Sequence, residues 1–362
     1  MPQAVPVLPV AAGRGGAVEA EIRLLGGDGQ QVGWFRLEGG KHRGAIGAIE
    51  GETVARLVRT AVDAGVPIVG VLSTSGADVA EGVVALHAWG GIARELAHAS
   101  GIVPIILVVT GPAVSGPALL LGLADVVIMT EGAFAYVSGP DALMEFTGMT
   151  ATNASLGGAA VHALRSGVAS LLAEDEDEAL ALAFDVLTFL PPNNGEHPPL
   201  ARCDDPVDRP VRAAVDVVPD SAMASYDVRR VIDDLCDDGW YLELKERHAP
   251  NVVTALGRIA GHPVGIVANQ PSQLAGTLDI EASQKAARFV QWCDAFGVPL
   301  VSLVDTPGYQ PGKDIEWRGM IRHGAQLVHA YAAASVPRIC VVLRKAYGAP
   351  TSSWTARPWA TT

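Results

Sequence analysis

Short β-rich runs alternate with amphipathic stretches along the first half of the chain. Strands are predicted at Pro67–Leu72, Ile105–Val109 and Asp125–Met129, and helices at Glu81–His98 and Ser115–Leu123. The apolar face of the first helix is expected to comprise Val84, Leu86, Trp89, Ile92, Ala93 and Leu96. Strands and helices that alternate in this way predict an α/β fold, in which crossover helices join parallel strands.

The same pattern restarts in the second half, after a connector rich in turn residues at Leu190–Pro199. Strands are predicted at Val264–Ala268, Leu300–Asp305 and Arg338–Leu343, and helices at Glu281–Phe296 and Arg318–Ala334. The halves also repeat in sequence, because Val66-Pro67-Ile68-Val69 resembles Val298-Pro299-Leu300-Val301. A repeat this long predicts two similar domains, since the repeats of solenoid proteins are much shorter.

The expected domains follow from this repeat and from local composition. Residues 1–20 are rich in Pro, Gly and Ala and are expected to form a weakly ordered N-terminus. An N-terminal domain is expected over residues 21–222, and a C-terminal domain over residues 223–348.

A small-residue turn ends a strand and begins a helix at equivalent points of the two halves. It contains Ser115-Gly116 in the first half, and the equivalent pair in the second half is Gly348-Ala349. Such a turn exposes consecutive backbone N–H groups, which can hold a developing oxyanion with help from the helix dipole. A tight turn chosen only for packing is the alternative, and both interpretations stay open at this point.

Composition and charge argue against several classes of function. The formal net charge is −13 and no Lys/Arg cluster is present, so a nucleic-acid partner is not expected. The apolar runs are too short to cross a membrane and no signal peptide is visible, so a cytoplasmic protein is expected. No metal motif or nucleophile motif appears, which favours a site that acts through backbone dipoles. The scattered cysteines are expected to be reduced core thiols: Cys203, Cys236, Cys293 and Cys340.

Longer motifs resemble one family over about residues 40 to 348. In the second half they are Leu256–Pro271, Lys285–Val290, Cys293–Phe296, Asp305–Gly312, Arg322–Ala325 and Arg344–Gly348. In the first half they are Ala80–Val83, Ala99–Gly101, Leu156–Ala159 and Leu190–Asn194. These motifs resemble the carboxyltransferase (β) subunits of biotin-dependent acyl-CoA carboxylases.

The resemblance implies two crotonase-like domains, the second of them incomplete, in a ring-shaped homohexamer. It implies that acyl-CoA lies against the N-terminal domain. Carboxybiotin, carried on a partner that also includes biotin carboxylase, would lie against the C-terminal domain of a neighbouring chain. The implied reaction transfers a carboxyl group to the α-carbon of acetyl- or propionyl-CoA, as in fatty acid metabolism. Because no metal motif appears in the sequence, no metal is expected in this chain.

Site residues are carried over from the family motifs one by one. The acyl-CoA enolate would be held by the N–H pair of Ser115 and Gly116, and the ureido oxygen of biotin by that of Gly348 and Ala349. The residues implied to bind acyl-CoA are Ser75, Gly76, Ala77, Gly111 and Gly139. The residues implied to bind biotin are Pro307, Gly308, Tyr309 and Gly312.

This chain departs from the family pattern at two places in the first half. The family has Gly-Gly where this chain has Ser115-Gly116, and a serine there could demand a strained backbone. The family turn Ser-Gly-Gly-Ala-Arg reads Thr74-Ser75-Gly76-Ala77-Asp78, so an acid replaces a base that could contact CoA phosphates. Two alternatives stay open: a biotin-dependent decarboxylase, which runs the same transfer backwards, and a non-catalytic scaffold subunit, which Ser115 and Asp78 favour.

A third departure lies at residues 349–362, where the family continues Ala-Tyr-Ile-Val-Met after the second glycine. Codons for Tyr-Ile-Val-Met-Asp, read one base out of register, give Thr-Ser-Ser-Trp-Thr after a proline. That is the order of Pro350 to Thr355. The sequence therefore favours the hypothesis that the tail is out of frame and that the chain is truncated, with an ordinary divergent tail as the alternative.

Overall fold

The computed structural model describes residues 18–25, 29–40, 42–206 and 208–348. The chain divides into two compact units. The N-terminal unit runs to Thr188 and includes Pro192–Gly195. The C-terminal unit comprises Phe189–Pro191 and the residues from Glu196 onward.

This division comes earlier in the chain than the 222/223 boundary expected from the sequence. Residues that follow Glu196 are bonded within the C-terminal unit, because Arg209 Nη2 donates to Cys236 O at 2.9 Å. The amide of Ala213 also donates to Asp234 Oδ2 at 2.8 Å. At the other end, residues 18–20 of the expected weakly ordered N-terminus begin a strand.

The N-terminal unit is built on a sheet of order β1-β2-β3-β4-β5-β7, with β6 joined to β4. Its strands are β1 (Val18–Leu25), β2 (Gln30–Leu37), β3 (Ile68–Thr74), β4 (Ile105–Val114), β5 (Val126–Thr130), β6 (Phe134–Tyr136) and β7 (Leu171–Ala173). The pairs from β2 to β7 are parallel, and only the β1–β2 hairpin in this described sheet is antiparallel. The predicted α/β pattern of parallel strands is confirmed here.

Helices cover this sheet. They are α1 (Ala48–Ala64), α2 (Val83–Ala99), α3 (Pro140–Thr147), α4 (Asn153–Gly157), α5 (Ala159–Val161) and α6 (Glu176–Thr188), with 3₁₀ turns at Val79–Glu81 and Gly116–Gly122 and a π turn at His162–Ser166. Helix α1 buries Val54, Leu57, Val58 and Ala61, the spacing of an amphipathic helix. It ends at Gly65, whose φ of 64° suits glycine.

The predicted apolar face of α2 is wrong at two positions. Val84 and Leu86 are 48% and 58% exposed, whereas Ala85 and Ala88 are buried. The reason is a close approach between helices, because a Cβ atom on Gly51 of α1 would lie 2.6 Å from Ala88 Cβ. Only small side chains fit at that contact, so the larger ones turn outward.

Strand β4 continues past Thr110, where the sequence predicted its end. The residues Pro112–Val114 pair with β6, and Ala113 also pairs with Thr74 at the end of β3. Two neighbouring strands therefore hold the segment extended even though it contains Gly111 and Pro112. The helix predicted after it, at Ser115–Leu123, is the 3₁₀ turn Gly116–Gly122.

The C-terminal unit has a sheet of order β12-β11-β10-β9-β8, in which β10, β11 and β12 are parallel. Its strands are β8 (Tyr241–Leu244), β9 (Val252–Ile259), β10 (His262–Asn269), β11 (Leu300–Thr306) and β12 (Arg338–Ala346). Its helices are α7 (Ala213–Asp216), α8 (Arg229–Leu235), α9 (Ile280–Ala295), α10 (Lys313–Trp317) and α11 (Met320–Ala333), with 3₁₀ turns at Asp237–Gly239 and Leu274–Gly276. The strands and helices predicted for the second half are confirmed.

The cysteines divide between the core and the surface. Cys236 and Cys293 are buried, as expected of core thiols, and burial raises the pKa of the Cys236 thiol to about 12. Cys340 on β12 is exposed and Cys203 is partly exposed, so the expectation of core thiols is wrong for Cys340. No disulfide joins the four, which are all free.

Candidate functional site

A loop and a turn lie side by side at the carboxyl end of β3. The loop precedes α1 and contains Ile46, and the turn contains Gly76 and Asp78. The amide of Ile46 donates to Gly76 O at 2.8 Å, and the amide of Asp78 donates to Ile46 O at 3.0 Å. Inside the turn, the amide of Gly76 donates to Thr74 Oγ1 at 3.1 Å. The two bonds of Ile46 form a single parallel β-bridge between Ile46 and Ala77, which holds the turn against the loop.

The C-terminal unit repeats this arrangement bond for bond. The amide of Leu278 donates to Gly308 O at 3.1 Å, and the amide of Gln310 donates to Leu278 O at 2.9 Å. The amide of Gly308 donates to Thr306 Oγ1 at 3.2 Å. The duplication seen in the sequence thus extends to the hydrogen bonds of the turn that follows β3 in one unit and β11 in the other.

The second turn of the N-terminal unit follows β4, beside the first. A Cβ atom on Gly76 would lie 3.2 Å from Ser115 Cβ, so the two turns are in contact. Gly76 has a φ of 108°, a conformation that favours glycine. The structure therefore brings together two of the residues implied to bind acyl-CoA, Gly76 and Ala77, with Ser115 and Gly116.

One member of the N–H pair predicted at Ser115 and Gly116 already has a backbone acceptor. The amide of Ser115 donates to Tyr136 O of β6 at 2.9 Å, so this N–H is already used. For the amides of Gly116 and Ala77, no acceptor is found within the described residues. The unpaired donors thus belong to two adjacent turns instead of two consecutive residues.

The backbone at Ser115 is strained, as its side chain suggested. Its φ of 64° and ψ of −151° lie in a region that is essentially restricted to glycine. Such a conformation costs of order 1–3 kcal/mol. The equivalent residue of the other unit is Gly348, with a φ of 72°. The left-handed backbone is therefore common to both units, and only the N-terminal unit places a side chain on it.

Gly116 packs against an indole ring. A Cβ atom at Gly116 would lie 2.8 Å from Cε2 and Cζ2 of Trp89, so glycine is required there unless the ring moves. The Nε1 atom of Trp89 is buried and has no hydrogen-bond partner within the described residues. Sequence reasoning placed Trp89 on the apolar face of α2 but did not connect it with the turn, because the contact joins distant parts of the chain.

The remaining residues implied to bind acyl-CoA occupy different places. Ser75 is bonded to the neighbouring loop, since its Oγ donates to His42 O at 2.6 Å and its amide to Arg43 O at 3.1 Å. Gly111 lies inside β4, where a Cβ atom would lie 2.5 Å from Ser73 Oγ. Gly139 precedes α3, and a Cβ atom there would lie 3.1 Å from the ring of Tyr136.

The residues implied to bind biotin follow β11. Gly308 has a φ of 136° in the turn, and the ring of Tyr309 lies 3.3 Å from the position of a Cβ atom on Gly324 of α11. Pro307 precedes Gly308 in that turn, and Gly312 lies further along, directly before α10. Ala349, the second member of the N–H pair predicted in this half, and the proposed out-of-frame tail fall outside the described residues.

A buried ion cluster lies beneath the turn of the C-terminal unit. The carboxylate of Asp305 is fully buried and lies 3.1 Å from Arg344 Nε and 3.7 Å from Lys345 Nζ. Arg344 Nη1 also donates to Ser221 O at 2.6 Å and to Ala224 O at 2.8 Å. These charges hold the ends of β11 and β12 and a segment of the chain together.

An exposed pair flanks the turn of the N-terminal unit. His42 Nδ1 lies 2.6 Å from Asp78 Oδ2, and the amide of Ala80 donates to Asp78 Oδ1 at 3.0 Å. The hydrogen bond with His42, followed by that with Ala80, lowers the pKa of Asp78 below its ordinary value. The acid that replaces the family's base therefore has a basic partner of its own.

Two kinds of feature are absent from the part of the chain that the structure describes. Within them, no helix is long and apolar enough to cross a membrane. The same part of the chain contains no group of three or more His, Cys, Asp or Glu side chains that could hold a metal ion.

Known proteins match most of this chain. The carboxyl transferase domain family matches residues 27–356. The propionyl-CoA carboxylase beta chain of Saccharopolyspora erythraea is 41% identical over 341 residues, which cover 89% of this chain and 62% of that protein. The methylmalonyl-CoA decarboxylase subunit alpha of Veillonella parvula is 40% identical over 315 residues, which cover 87% of this chain and 61% of that protein. The chain thus spans less than two thirds of the length of these relatives.

A solved structure agrees with the fold. Transcarboxylase 12S, described as a hexamer assembly with methylmalonyl-coenzyme A and methylmalonic acid bound, superposes with a TM-score of 0.91 at 39% identity. The match covers 93% of this chain and 66% of that one. It confirms the expected crotonase-like fold. Together with the family match over nearly the whole sequence, it leads to the conclusion that this chain belongs to the carboxyl transferase domain family.

Proposed function

We propose that this chain performs the carboxyltransferase step of a biotin-dependent acyl-CoA carboxylase, with acetyl- or propionyl-CoA as acceptor. The observation that carries the proposal is the pair of adjacent turns in the N-terminal unit. There, the amides of Gly116 and Ala77 have no acceptor within the described residues. Membership of the family and the likeness to a propionyl-CoA carboxylase beta chain support the same reaction.

In this proposal, Gly116 and Ala77 are the oxyanion donors of the N-terminal unit, in place of Ser115 and Gly116. They follow β4 and β3, neighbouring parallel strands whose register pairs Thr74 with Ala113. The strands fix both turns before any substrate binds, so the donors need no reorganisation when charge develops on the thioester oxygen. One preorganised donor of this kind typically contributes about 3–4 kcal/mol to a transition state.

The proposed role of these donors is to stabilise the enolate of the acyl group. Its α-proton would go to the biotin nitrogen that is left when CO₂ departs from carboxybiotin, and the enolate would then attack that CO₂. Side-chain chemistry is not required, because negative charge accumulates on one oxygen and N–H dipoles suffice to hold it. The indole of Trp89 supports this arrangement by packing against Gly116, which keeps the donating amide in place.

The C-terminal unit would hold the biotin group at its equivalent turn. Carboxybiotin, borne by a partner protein, would supply the carboxyl group. The turn fits such a role because Gly308 and Gly348 have the left-handed backbone also found at Gly76 and Ser115. Pro307, Tyr309 and Gly312 remain the proposed contacts of the ring system.

The proposed partners follow from the relatives. Biotin carboxylase and a biotin carrier protein would complete the carboxylase. A homohexamer is the proposed assembly, on the model of transcarboxylase 12S, which is described as a hexamer.

The test compares two alanine substitutions in the same 3₁₀ turn. Gly116→Ala places a Cβ atom 2.8 Å from the ring of Trp89, whereas Gly122→Ala meets nothing within 4 Å. With methylmalonyl-CoA and free biotin, propionyl-CoA release is measured by chromatography. Gly116→Ala should slow release about 100- to 1,000-fold, the typical cost of one oxyanion donor, and Gly122→Ala should change it little.

Equal rates for the wild type and Gly116→Ala would contradict the proposed donor. A wild-type chain that binds propionyl-CoA but transfers no carboxyl group would instead support the non-catalytic scaffold. Circular dichroism of both variants shows whether a lost rate reflects a lost fold.

Decarboxylation is a second candidate, favoured by the 40% identity to a methylmalonyl-CoA decarboxylase subunit. The two reactions run the same transfer in opposite directions. Carboxylation of propionyl-CoA with biotin carboxylase, carrier protein, ATP and bicarbonate would identify a carboxylase. Carboxyl transfer from methylmalonyl-CoA to the carrier, without carboxylation in the complete system, would identify a decarboxylase.

A further inference from the structure

Arg43 is an exposed cation in the loop before α1, which is bonded to the turn that contains Gly76 and Asp78. Its carbonyl accepts from the amide of Ser75 at 3.1 Å, so its backbone lies directly beside that turn. Its φ is 53°, which is uncommon for a residue with a side chain. No carboxylate pairs with its guanidinium within the described residues.

The C-terminal unit contains the same backbone without the cation. Ala275 is equivalent to Arg43 and also has a φ of 53°. A glycine with positive φ follows each of them, Gly276 after Ala275 and Gly44 after Arg43. A Cβ atom on Gly44 would lie 2.1 Å from Ser73 O, and one on Gly276 would lie 2.5 Å from Asp305 O. Both loops thus pack against a strand carbonyl at this glycine, and a long side chain at position 43 or 275 is not needed for that contact.

Charge also differs between the units at the turn itself. The N-terminal unit has His42 and Asp78, whereas the equivalent residues of the C-terminal unit are the uncharged Leu274 and Gln310. Because His42 lies 2.6 Å from Asp78, that carboxylate is already partnered by a side chain other than Arg43. Arg43 is therefore left to interact with a ligand or with water.

We propose that Arg43 binds a phosphate group of the coenzyme A part of the acyl-CoA. The inference rests on the proposed function, in which the N-terminal unit receives a phosphorylated ligand and the C-terminal unit receives biotin, which has no phosphate. A guanidinium forms paired hydrogen bonds with phosphate oxygens, so it can bind the phosphorylated ligand. Biotin offers no phosphate for such a contact. Arg43 thus replaces the base that the family carries where this chain has Asp78.

The experiment measures binding of two thioesters to the full chain by calorimetry. Propionyl-CoA carries the phosphates, and propionyl-pantetheine has the same acyl group and thiol arm without them. Arg43→Ala should weaken propionyl-CoA binding roughly tenfold, as expected for one charge-assisted phosphate contact, and leave propionyl-pantetheine unchanged. The loss should shrink as salt is added, because the contact is exposed.

Three controls separate a contact from general effects. Arg43→Lys should recover part of the affinity, since it restores charge without the planar fork. The double variant Arg43→Ala/Ala275→Arg restores the net charge and should stay weak. Arg56→Ala, which removes an exposed arginine of α1, should bind like the wild type.

Each result bears on a different claim. A wild-type chain that binds neither thioester would overturn the proposed function. Normal binding of propionyl-CoA by Arg43→Ala would overturn only the role of Arg43. Equal losses for the two thioesters would also overturn it, because they would show that Arg43 supports the turn and not a phosphate.

Discussion

The two units have the same turn, but the residues that lie beneath it differ in charge. Beneath the turn of the N-terminal unit lie small or uncharged residues, and beneath that of the C-terminal unit lie charges. The equivalent pairs are Ser73 and Asp305, Gly111 and Arg344, and Pro112 and Lys345. The hydrogen bonds that join Ile46 to Gly76 and Asp78 nevertheless have counterparts that join Leu278 to Gly308 and Gln310. The bond from the Ser75 amide to Arg43 O has none, because the equivalent residue, Pro307, lacks an N–H.

This contrast shows which part of the structure the fold determines and which part each unit has specialised. Parallel strands and the left-handed residues after them define the turn in both units. Buried charges do not make a turn more stable by themselves, since removing them from water costs free energy that their attraction only partly returns. The cluster around Asp305 serves instead to join β11 and β12 to the segment that includes Ser221 and Ala224.

The largest expected effect comes from breaking the cluster on one side. Asp305→Asn keeps the shape of the side chain but leaves Arg344 and Lys345 without their buried counterion. Loss of one partner of a buried ion pair typically costs about 3–5 kcal/mol, so the free energy of unfolding should fall by about that much. Urea denaturation followed by circular dichroism measures the change.

The matched control is Ser73→Ala at the equivalent position. Within the described residues the Ser73 side chain has no charged partner, and it is only partly buried, so its removal should cost under about 1 kcal/mol. If Asp305→Asn were no more destabilising than Ser73→Ala, the charges of the C-terminal unit would not support its sheet.

A smaller effect is expected where the units share a left-handed backbone. Ser115→Gly removes strain of about 1–3 kcal/mol and adds about 0.5–1 kcal/mol of lost chain entropy, so it should stabilise the protein by about 1 kcal/mol. Gly348→Ala places a side chain at a φ of 72° and should destabilise by a similar amount. Thermal unfolding of both variants measures the two shifts, and shifts of the same sign would contradict the equivalence of the positions.

Much of the fold could be predicted because it is local. The strand runs at Ile68–Thr74 and Leu300–Thr306 contain β-branched residues between turn residues, and their order along the chain implied parallel pairing. The continuation of β4 could not be predicted, since Gly111 and Pro112 are typical of turns. Pairing with β6, a strand formed later in the chain, keeps that segment extended.

The candidate site could be located from the sequence but not described in detail. The internal repeat identified Ser115 and Gly348 as equivalent residues, and the structure gives both a positive φ. Sequence could not show that the amide of Ser115 is bonded to Tyr136, because the acceptor is a carbonyl on another strand. Backbone acceptors leave no residue-type signal, which is why the sequence alone could not show that the Ser115 amide is already bonded.

The smallest expected effect concerns the exposed pair that distinguishes the N-terminal turn. The pKa of Asp78 is lowered in the folded protein, chiefly by its hydrogen bond with His42, so folding favours the ionised carboxylate. A lowered carboxyl pKa stabilises the fold above the ordinary value, and this contribution is lost as pH falls through the folded pKa. The melting temperature of Asp78→Asn should therefore lie slightly below that of the wild type at pH 5 to 6 and converge with it below pH about 4. As the control, Gln310→Ala at the equivalent uncharged position should change the melting temperature by an amount that stays constant over this pH range. If the difference in melting temperature between Asp78→Asn and the wild type persisted undiminished at pH 2, the carboxylate charge would have no part in holding the turn.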